Sequence, residues 1–357
     1  MVPLQTRRTP SRRDRLEEAI RHVNRRYAPW LSLALGVATA VLWREGVDSV
    51  RAAVVLVSLA AAISLFVLFP PWRSRGAPWL RGASWFTAVN LAQNALWFVV
   101  PLYVLSTTWA SANAPFTLWL VLLCVLSCFD VFLRERVLRG GVAAVAFLAP
   151  TLLAALQLFL PVLTGVAPRW TIFASGALAA LAASALLRAD ARSPIRPPRL
   201  ALVPALGIAF SGALVARAAL PLLPPAPLRM AGSSFALERD GLDPVLPVSV
   251  LETAPSPPAY VFFFVEAPRG VHESVRVVIE NSGALRESRP LGIEGGRSGG
   301  YRLWAPVSRA IESTVRASVR TLGGQIVGET SIRIVPANVA QGSVPAVSSE
   351  PPGAGSR

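Results

Sequence analysis

Seven long apolar runs occupy most of the first 220 residues of this 357-residue chain, and they constrain its fold more than any other feature. A helix that crosses the hydrocarbon core of a bilayer needs about 20 mainly apolar residues. The runs of about this length are 27–43, 50–69, 83–105, 115–133, 141–163, 169–187 and 200–220. Only 15% of the residues are charged, against about a quarter in ordinary soluble domains. The sequence therefore predicts an α-helical membrane bundle of about seven transmembrane helices over residues 27–220.

The distribution of arginine predicts the orientation of that bundle. All 35 basic residues are Arg, and 18 of them lie before the first run or in every second loop. The other loops hold only Arg44 and Arg169, with Arg51 and Arg217 at the edges of runs. Because cytoplasmic loops carry the excess of basic residues, we expect a bacterial inner-membrane protein with a cytoplasmic N-terminus and a periplasmic C-terminal domain. The net charge of +15 is then explained by the arginines of the cytoplasmic segments, and no nucleic-acid partner is expected.

The basic arm at residues 1–26 has two interpretations. Leu16, Ala19, Ile20 and Val23 recur at helical spacing among its arginines, which is typical of an amphipathic helix lying on anionic lipid. Alternatively, the arm is a solvated charged segment that only sets the topology. Both readings make membrane lipids the expected partners of the N-terminal half.

The third run carries a polar face that is a candidate membrane site. Three amides and two aromatic rings fall within about 100° of one another at 100° per residue; they are Phe86, Asn90, Gln93, Asn94 and Trp97. An unpaired amide facing lipid is costly, so these side chains should point into the bundle. They form either a site for a polar solute or lipid headgroup, or hydrogen bonds between helices. Asp130, the only acid within the runs, is the further candidate at this site.

The residue types that carry catalysis or bind metals are scarce. Residues 29–227 contain no His, and the C-terminal part has only His272, without a Ser–His–acid or paired-carboxylate arrangement around it. Cys124 and Cys128 lie four residues apart on one predicted helix. We expect them to be buried thiols, because two thiolates alone make a poor metal site. The glycine-rich stretch 295–300 lacks the Lys of a P-loop. We therefore expect a non-enzymatic protein without a cofactor or metal.

The C-terminal part has the composition of a small all-β domain. A Pro-rich spacer at 221–230 precedes about eight short β-rich segments within 231–335, which predict a sandwich-like fold, and the tail 336–357 is expected to be disordered. Alternation along the strand from Tyr301 to Trp304 places Arg302 and Trp304 on one outward face. Together with Arg297 they form a candidate partner-binding surface, unless Trp304 instead closes the end of the sandwich.

Several short segments carry a resemblance to a known group of proteins. They are Val89 to Gln93, Phe98 to Trp109, Asn113 to Thr117 followed by Asp130, Ala267 to Gly270, Ile293 to Trp304, and Gly324 to Gly328. In these segments the chain resembles uncharacterised bacterial multi-pass inner-membrane proteins that combine a membrane region of the DUF5924 type with a C-terminal β-rich domain of the DUF2914 type. The resemblance implies an architecture and an envelope location, and it implies no reaction.

Two functional hypotheses follow from these observations. The first is a non-enzymatic inner-membrane protein that presents its periplasmic β domain to a protein partner or an envelope glycan. The alternative is a transporter or lipid-handling protein that uses the polar face of the third run.

Overall fold

Helices form the first part of the described chain. The computed structural model describes residues 78–128, 141–190, 198–297 and 300–337, with a few more between 54 and 61. Its longer helices are α1 (Pro78–Ser106), α2 (Ala114–Ser127), α3 (Gly141–Thr164), α4 (Pro168–Asp190) and α5 (Pro198–Ala219). The predicted arm 1–26, the run 27–43, most of the run 50–69, Asp130 and nearly all of the tail 336–357 lie outside the described residues.

The prediction of a seven-helix membrane bundle is wrong. The described residues form the five α-helices α1 to α5. Only two helical segments of this part of the chain, Val142–Thr164 and Val203–Leu222, are long and apolar enough to cross a membrane. Helix α2 has 14 residues, or about 21 Å, which is shorter than a hydrocarbon core of about 30 Å. In α1 the residues whose side chains are described, 91–106, form a shorter apolar segment. Counting apolar runs overestimated the number of spanning helices because a run does not fix where its helix ends.

Small residues bring α4 and α5 into close contact. A Cβ atom added at Gly176 would lie 2.4 Å from the carbonyl oxygen of Gly212, and one added at Gly212 would lie 2.3 Å from the Cβ of Ala180. No side chain larger than hydrogen fits at either glycine without moving the helices apart. The two helices therefore touch backbone to backbone, which is the arrangement that small residues at four-residue spacing favour.

The second part of the described chain is a β domain. Its ten strands are β1 (Arg229–Asp240), β2 (Asp243–Val248), β3 (Val250–Glu252), β4 (Ala254–Glu266), β5 (His272–Asn281), β6 (Ala284–Glu287), β7 (Leu291–Glu294), β8 (Tyr301–Arg309), β9 (Ser313–Thr321) and β10 (Ile326–Val335). One sheet has the order β2-β1-β4-β8, and the other has the order β3-β10-β9-β5-β6, with β7 also pairing with β5. The predicted β-rich region is thus confirmed.

Alternation along the strands builds a common core between the two sheets. In β9 the side chains of Val315, Ala317 and Val319 are fully buried, whereas Thr314 and Arg316 are exposed. The buried residues of both sheets belong to one contiguous apolar cluster. Strands β9 and β10 are antiparallel neighbours joined through Gly323 and Gly324, and Gly324 has a φ of +90°, which glycine adopts without strain. Ten short strands arise where eight were expected, because two predicted segments each divide into two strands.

The segment that joins the helices to the β domain is buried. A short 3-10 helix (Leu220–Leu222) follows α5, and residues 223–228 have almost no exposed surface. The side chain of Gln325, which is 1% exposed, donates hydrogen bonds from Nε2 to the carbonyl oxygens of Leu223 (3.2 Å) and Pro224 (3.0 Å). The region predicted as a Pro-rich spacer therefore lies against the β9–β10 turn and does not extend freely into solvent.

The loop between α1 and α2 makes a second connection to the same turn. The Nδ2 of Asn113, a buried side chain, donates to the carbonyl oxygen of Ile326 at 3.1 Å, and the hydroxyl of Thr108 approaches the same oxygen at 3.5 Å. The β domain is therefore seated directly on the ends of the helices.

Candidate binding surface of the β domain

A row of aromatic side chains crosses the outer face of the four-stranded sheet. Strands β4 and β8 pair so that Phe262 lies opposite Trp304 and Phe264 lies opposite Arg302. The alternate residues of β4 are completely buried in the core between the sheets. Because neighbouring residues of a strand point to opposite faces, Tyr260, Phe262 and Phe264 share the outer face with Trp304. This outer face is named the aromatic face below.

Trp304 is held between a tyrosine and an arginine. Its ring meets the ring of Tyr260 edge-on, with 5.7 Å between centroids and an interplanar angle of 74°. The guanidinium carbon of Arg239 lies 4.1 Å from the centroid of Trp304 and 5.7 Å from that of Tyr260. Such an arrangement combines an aromatic pair with a cation over both rings. The indole remains half-exposed, so it is available at the surface.

A second arginine on the aromatic face is tied to the β1–β2 hairpin. The guanidinium of Arg302 forms an ion pair with the carboxylate of Asp243, and its carbon lies 5.9 Å from the centroid of Phe264. Both side chains of the ion pair are largely exposed, so the pair contributes about 0–1 kcal/mol. Its main effect is positional, because it fixes where Arg302 points.

The tip of the β1–β2 hairpin bends over the aromatic face. Pairing of β1 with β4 ends at Ala236 opposite Tyr260, while pairing of β1 with β2 continues to Asp240 opposite Asp243. In a flat sheet Asp243 would be carried away from Arg302, yet the two residues touch. Cα atoms of β2 and β4 also approach within 8 Å, although β1 lies between these strands in the sheet. Phe262, on the same outer face, is only 1% exposed.

Sequence reasoning placed two of these residues correctly and missed their partners. Strand β8 confirms the strand predicted from Tyr301 to Trp304, with Leu303 buried and Arg302 exposed. The expected neighbour of Trp304 was Arg302, but the cation over its ring belongs to Arg239. Arg297 lies apart from this cluster, 5.5 Å from the ring of Tyr301. The turn residues Asp240–Asp243 were visible in the sequence, but nothing there shows that the hairpin bends.

The second sequence-based candidate, the polar face of the third run, lies on α1 and is only partly described. Gln93 is buried, and its Nε2 contacts the Sγ of Cys128 at 3.7 Å. Asn94 is exposed, and the indole Nε1 of Trp97 is buried without a hydrogen-bond partner among the described residues. The backbone of α1 includes Phe86 and Asn90, whose side chains lie outside the description. The contact of Gln93 is that of a side chain packed between helices.

The glycine-rich loop after β7 uses its amides within the protein. The N–H of Gly295 donates to the carbonyl oxygen of Val271 at 2.8 Å, and that of Gly296 donates to Ala267 at 2.9 Å. A Cβ atom at Gly295 would lie 1.6 Å from the carbonyl oxygen of Pro268. These amides are therefore engaged by backbone carbonyls, and the glycines allow two loops to pack closely.

One buried carboxylate lies where the β domain meets α4. Glu273, at the start of β5, is 4% exposed, and one of its oxygens accepts the N–H of Ser274 at 2.8 Å. Burial raises the pKa of Glu273, while the N–H of Ser274 and the charge and N–H of Arg169 act in the opposite direction. In the described part of the chain, no three His, Cys, Asp or Glu side chains are grouped to hold a metal ion. His272 is exposed, 3.9 Å from the carboxylate of Glu294.

Helices packed against a two-sheet β domain with an arginine-capped aromatic face define the architecture of this protein. The chain belongs to the family of unknown function DUF5924, which matches residues 9–243. No curated protein and no solved structure matches the chain. The matched range covers the helices and the first strands, including Arg239 and Asp243 of the hairpin.

Proposed function

We propose that this protein is a membrane-anchored, non-enzymatic binding protein whose β domain offers the aromatic face to a protein partner. The observation that carries the proposal is the half-exposed cluster of Trp304, Tyr260 and Arg239 beside Arg302. Trp, Tyr and Arg are the residue types most enriched among the side chains that dominate protein–protein binding energy.

Two helical segments support insertion into a membrane. Val142–Thr164 has 23 residues, or about 35 Å, and Val203–Leu222 has 20 residues, or about 30 Å. The first is mostly buried within the helices, whereas the second exposes most of its surface. Along α5 the side chains of Val203, Leu206, Phe210 and Leu214 are all exposed and recur at helical spacing. An exposed apolar stripe of this length is what a helix facing lipid presents.

The distribution of arginine supports a periplasmic β domain. The α3–α4 loop and the first turn of α4, at the end that carries the β domain, have one arginine, Arg169. The opposite ends of these helices adjoin seven arginines: Arg134, Arg136, Arg139, Arg188, Arg192, Arg196 and Arg199. Under the positive-inside rule, those seven face the cytoplasm and the β domain faces the other side of a bacterial inner membrane. The proposed kinship of the β domain with the DUF2914 type agrees with this location.

A protein partner is favoured over an envelope glycan by the position of Arg239. A sugar ring binds an indole by lying flat on its face, and the guanidinium of Arg239 already lies 4.1 Å over Trp304. The exposed donors of Arg302 and Arg239 suit carboxylate groups of a protein surface. The polar face of α1 is not proposed as a transport site, because Gln93 is packed against Cys128.

Site-directed photo-crosslinking in native membranes tests the proposal. A photoreactive amino acid at Arg302 samples the aromatic face, and the same group at Arg316, an exposed arginine on β9, samples the other sheet as the matched control. We expect one discrete protein adduct from position 302, none from position 316, and loss of the adduct in Trp304→Ala.

Each alternative result has a defined meaning. Equal adducts at both positions, or none at position 302, would overturn the proposed surface. An adduct whose added mass is removed by glycosidases or lysozyme-type enzymes would replace the protein partner with a glycan.

A further inference from the structure

Four apolar side chains are exposed at the level where the β domain meets the helices. Trp170 is 58% exposed, Trp109 54%, Leu222 52% and Val166 44%. Trp109 and Val166 lie in loops between helices, Trp170 lies in the first turn of α4, and Leu222 lies between α5 and the β domain. Side chains of this size rarely stand exposed together unless something covers them. These four residues are named the collar.

Two members of the collar adjoin the β9–β10 turn. Trp109 lies in the α1–α2 loop, whose Asn113 donates a hydrogen bond to the carbonyl oxygen of Ile326. Leu222 belongs to the 3-10 helix that packs on the glycines of the same turn. Trp109 and Leu222 are thus held next to the base of the β domain by the side-chain contacts of Asn113, Leu220 and Pro221 with this turn.

The other two members adjoin the start of β5. Val166 lies in the short α3–α4 loop, where the preceding glycine packs beside the ring of His272. Trp170 follows Arg169, whose charge and N–H act on the carboxylate of Glu273. The collar residues therefore adjoin the foot of the β domain at two places, the β9–β10 turn and the start of β5.

Two arginines of the β domain stand beside the collar without an ion-pair partner among the described residues. Arg269 is exposed and precedes Gly270, whose Cβ position lies 3.2 Å from the carbonyl oxygen of Val162 at the end of α3. Arg297 is exposed, and the adjacent glycine packs on the side chain of Arg269. The rim of the β domain nearest the helices therefore carries two positive charges next to apolar and indole surface.

We propose that the collar is a lipid-contacting surface that lies in the headgroup layer of the bilayer, with Arg269 and Arg297 binding the phosphates of anionic phospholipids. Indole rings prefer the interface, where their apolar body and polar N–H are both accommodated. Arginine pairs with phosphate through two parallel hydrogen bonds and is attracted by a negative membrane surface. The inference rests on the proposed membrane insertion, and it adds that the β domain rests on the lipid surface.

Depth-dependent quenching in nanodiscs tests this surface. Single cysteines are introduced as Val166→Cys and Leu222→Cys, with Arg316→Cys on the exposed part of β9 as the control, and each carries a small fluorophore. Cys124 and Cys128 are both buried, so the unsubstituted protein measures their background labelling. Nitroxide lipids labelled at the headgroup or deep in the acyl chain serve as quenchers.

We expect both collar positions to be quenched more by the headgroup label than by the deep label, and the control to be unaffected. With the nitroxide on phosphatidylglycerol, quenching at Val166→Cys should exceed that with phosphatidylcholine several-fold, since each interfacial arginine contributes about a fivefold preference. Arg269→Gln with Arg297→Gln should remove this preference, and Arg316→Gln should leave it unchanged.

Three results would overturn the inference. They are deep quenching at the collar, quenching as strong at the Arg316 site, and shielding of the collar from lipid by a second copy of the chain. A phosphatidylglycerol preference that survives both arginine substitutions would exclude Arg269 and Arg297. Association with membranes that resists high salt and alkaline carbonate but is released by detergent tests insertion separately, so a wrongly placed collar is distinguishable from failure of the membrane proposal. Loss of the Arg302 crosslink bears only on the aromatic face.

Discussion

The guanidinium of Arg239 lies 4.1 Å from the ring centroid of Trp304, and the two residues come from strands that are not neighbours in the sheet. Strand β4 separates β1 from β8, so this contact exists only because the β1–β2 hairpin bends across the aromatic face. Arg239 and Trp304 together hold the hairpin tip against the sheet.

A double-mutant cycle should detect that contact as a coupling energy. Arg239→Gln, Trp304→Phe and the double variant of the full chain are compared by chemical unfolding. We expect a coupling of about 0.5–1 kcal/mol, because a cation over a partly exposed indole contributes that much. The pair Arg316→Gln with Trp304→Phe is the control and should show additive effects. Additivity for Arg239 and Trp304 would mean that the hairpin is held in another way.

The helix contact between α4 and α5 predicts opposite effects of two glycine substitutions. Gly176→Ala places a Cβ atom 2.4 Å from the backbone of Gly212, so it should destabilise the protein by about 1–3 kcal/mol. Gly207→Ala lies in the same pair of helices with no atom within 4 Å, and alanine should stabilise that helix by up to about 1 kcal/mol. Thermal unfolding in one detergent compares them. Equal shifts of Tm would contradict the close helix contact.

The close contact between the glycine-rich loop after β7 and the loop at Pro268 allows a similar comparison of two glycine substitutions in the β domain. Gly295→Ala brings a Cβ atom 1.6 Å from the carbonyl oxygen of Pro268, which the two packed loops cannot accommodate. We expect loss of more than about 2 kcal/mol, or failure to accumulate as folded protein. Gly292→Ala, three residues earlier with open space around it, should express and melt like the unsubstituted protein. A folded, normally stable Gly295→Ala protein would show that the loops are not packed in this way.

The burial of Glu273 predicts how the stability of the folded protein changes with pH. Its pKa is raised in the folded protein, so the folded state binds more protons than the unfolded state between the ordinary and the raised pKa. The contribution of this group to stability is full at pH values below the ordinary pKa, and it is lost as the pH rises through the raised one. Glu273→Gln removes this loss, so the variant should gain stability over the unsubstituted protein as the pH rises towards neutrality.

The measurement is the difference in Tm between the two proteins at several pH values, in which all other titrating groups cancel. Gly292→Ala, which changes no titrating group and has open space around it, is the control and should give a constant difference. A difference for Glu273→Gln that is constant with pH, or that falls as the pH rises, would contradict the role of burial.

The β domain could be predicted from the sequence because the patterns that produce its strands and turns involve residues close together in the chain. Alternation at Val315, Ala317 and Val319 predicts a half-buried strand whatever surrounds it, and the paired glycines predict the following turn. The outward position of Arg302 and Trp304 follows from the same alternation. Their partners Asp243 and Arg239 could not be predicted, because a bend of about four residues in one hairpin decides which side chains meet.

The helical part was predicted less well for a related reason. Hydropathy identifies apolar runs, but the run 115–133 does not show that the helix within it, α2, ends at Ser127. The amide of Gln93 illustrates the same limit: its spacing shows that it avoids lipid, but only the structure shows the thiol of Cys128 beside it.

The buried linker between the helices and the β domain determines how a partner would encounter the protein. With Gln325 clasping Leu223 and Pro224, the two parts cannot pivot about a free chain as tethered domains do. The orientation of Trp304 relative to the helix axes is therefore fixed. A partner confined to the same membrane would meet a surface that already has a fixed orientation. Less orientational entropy would therefore be lost when the complex forms.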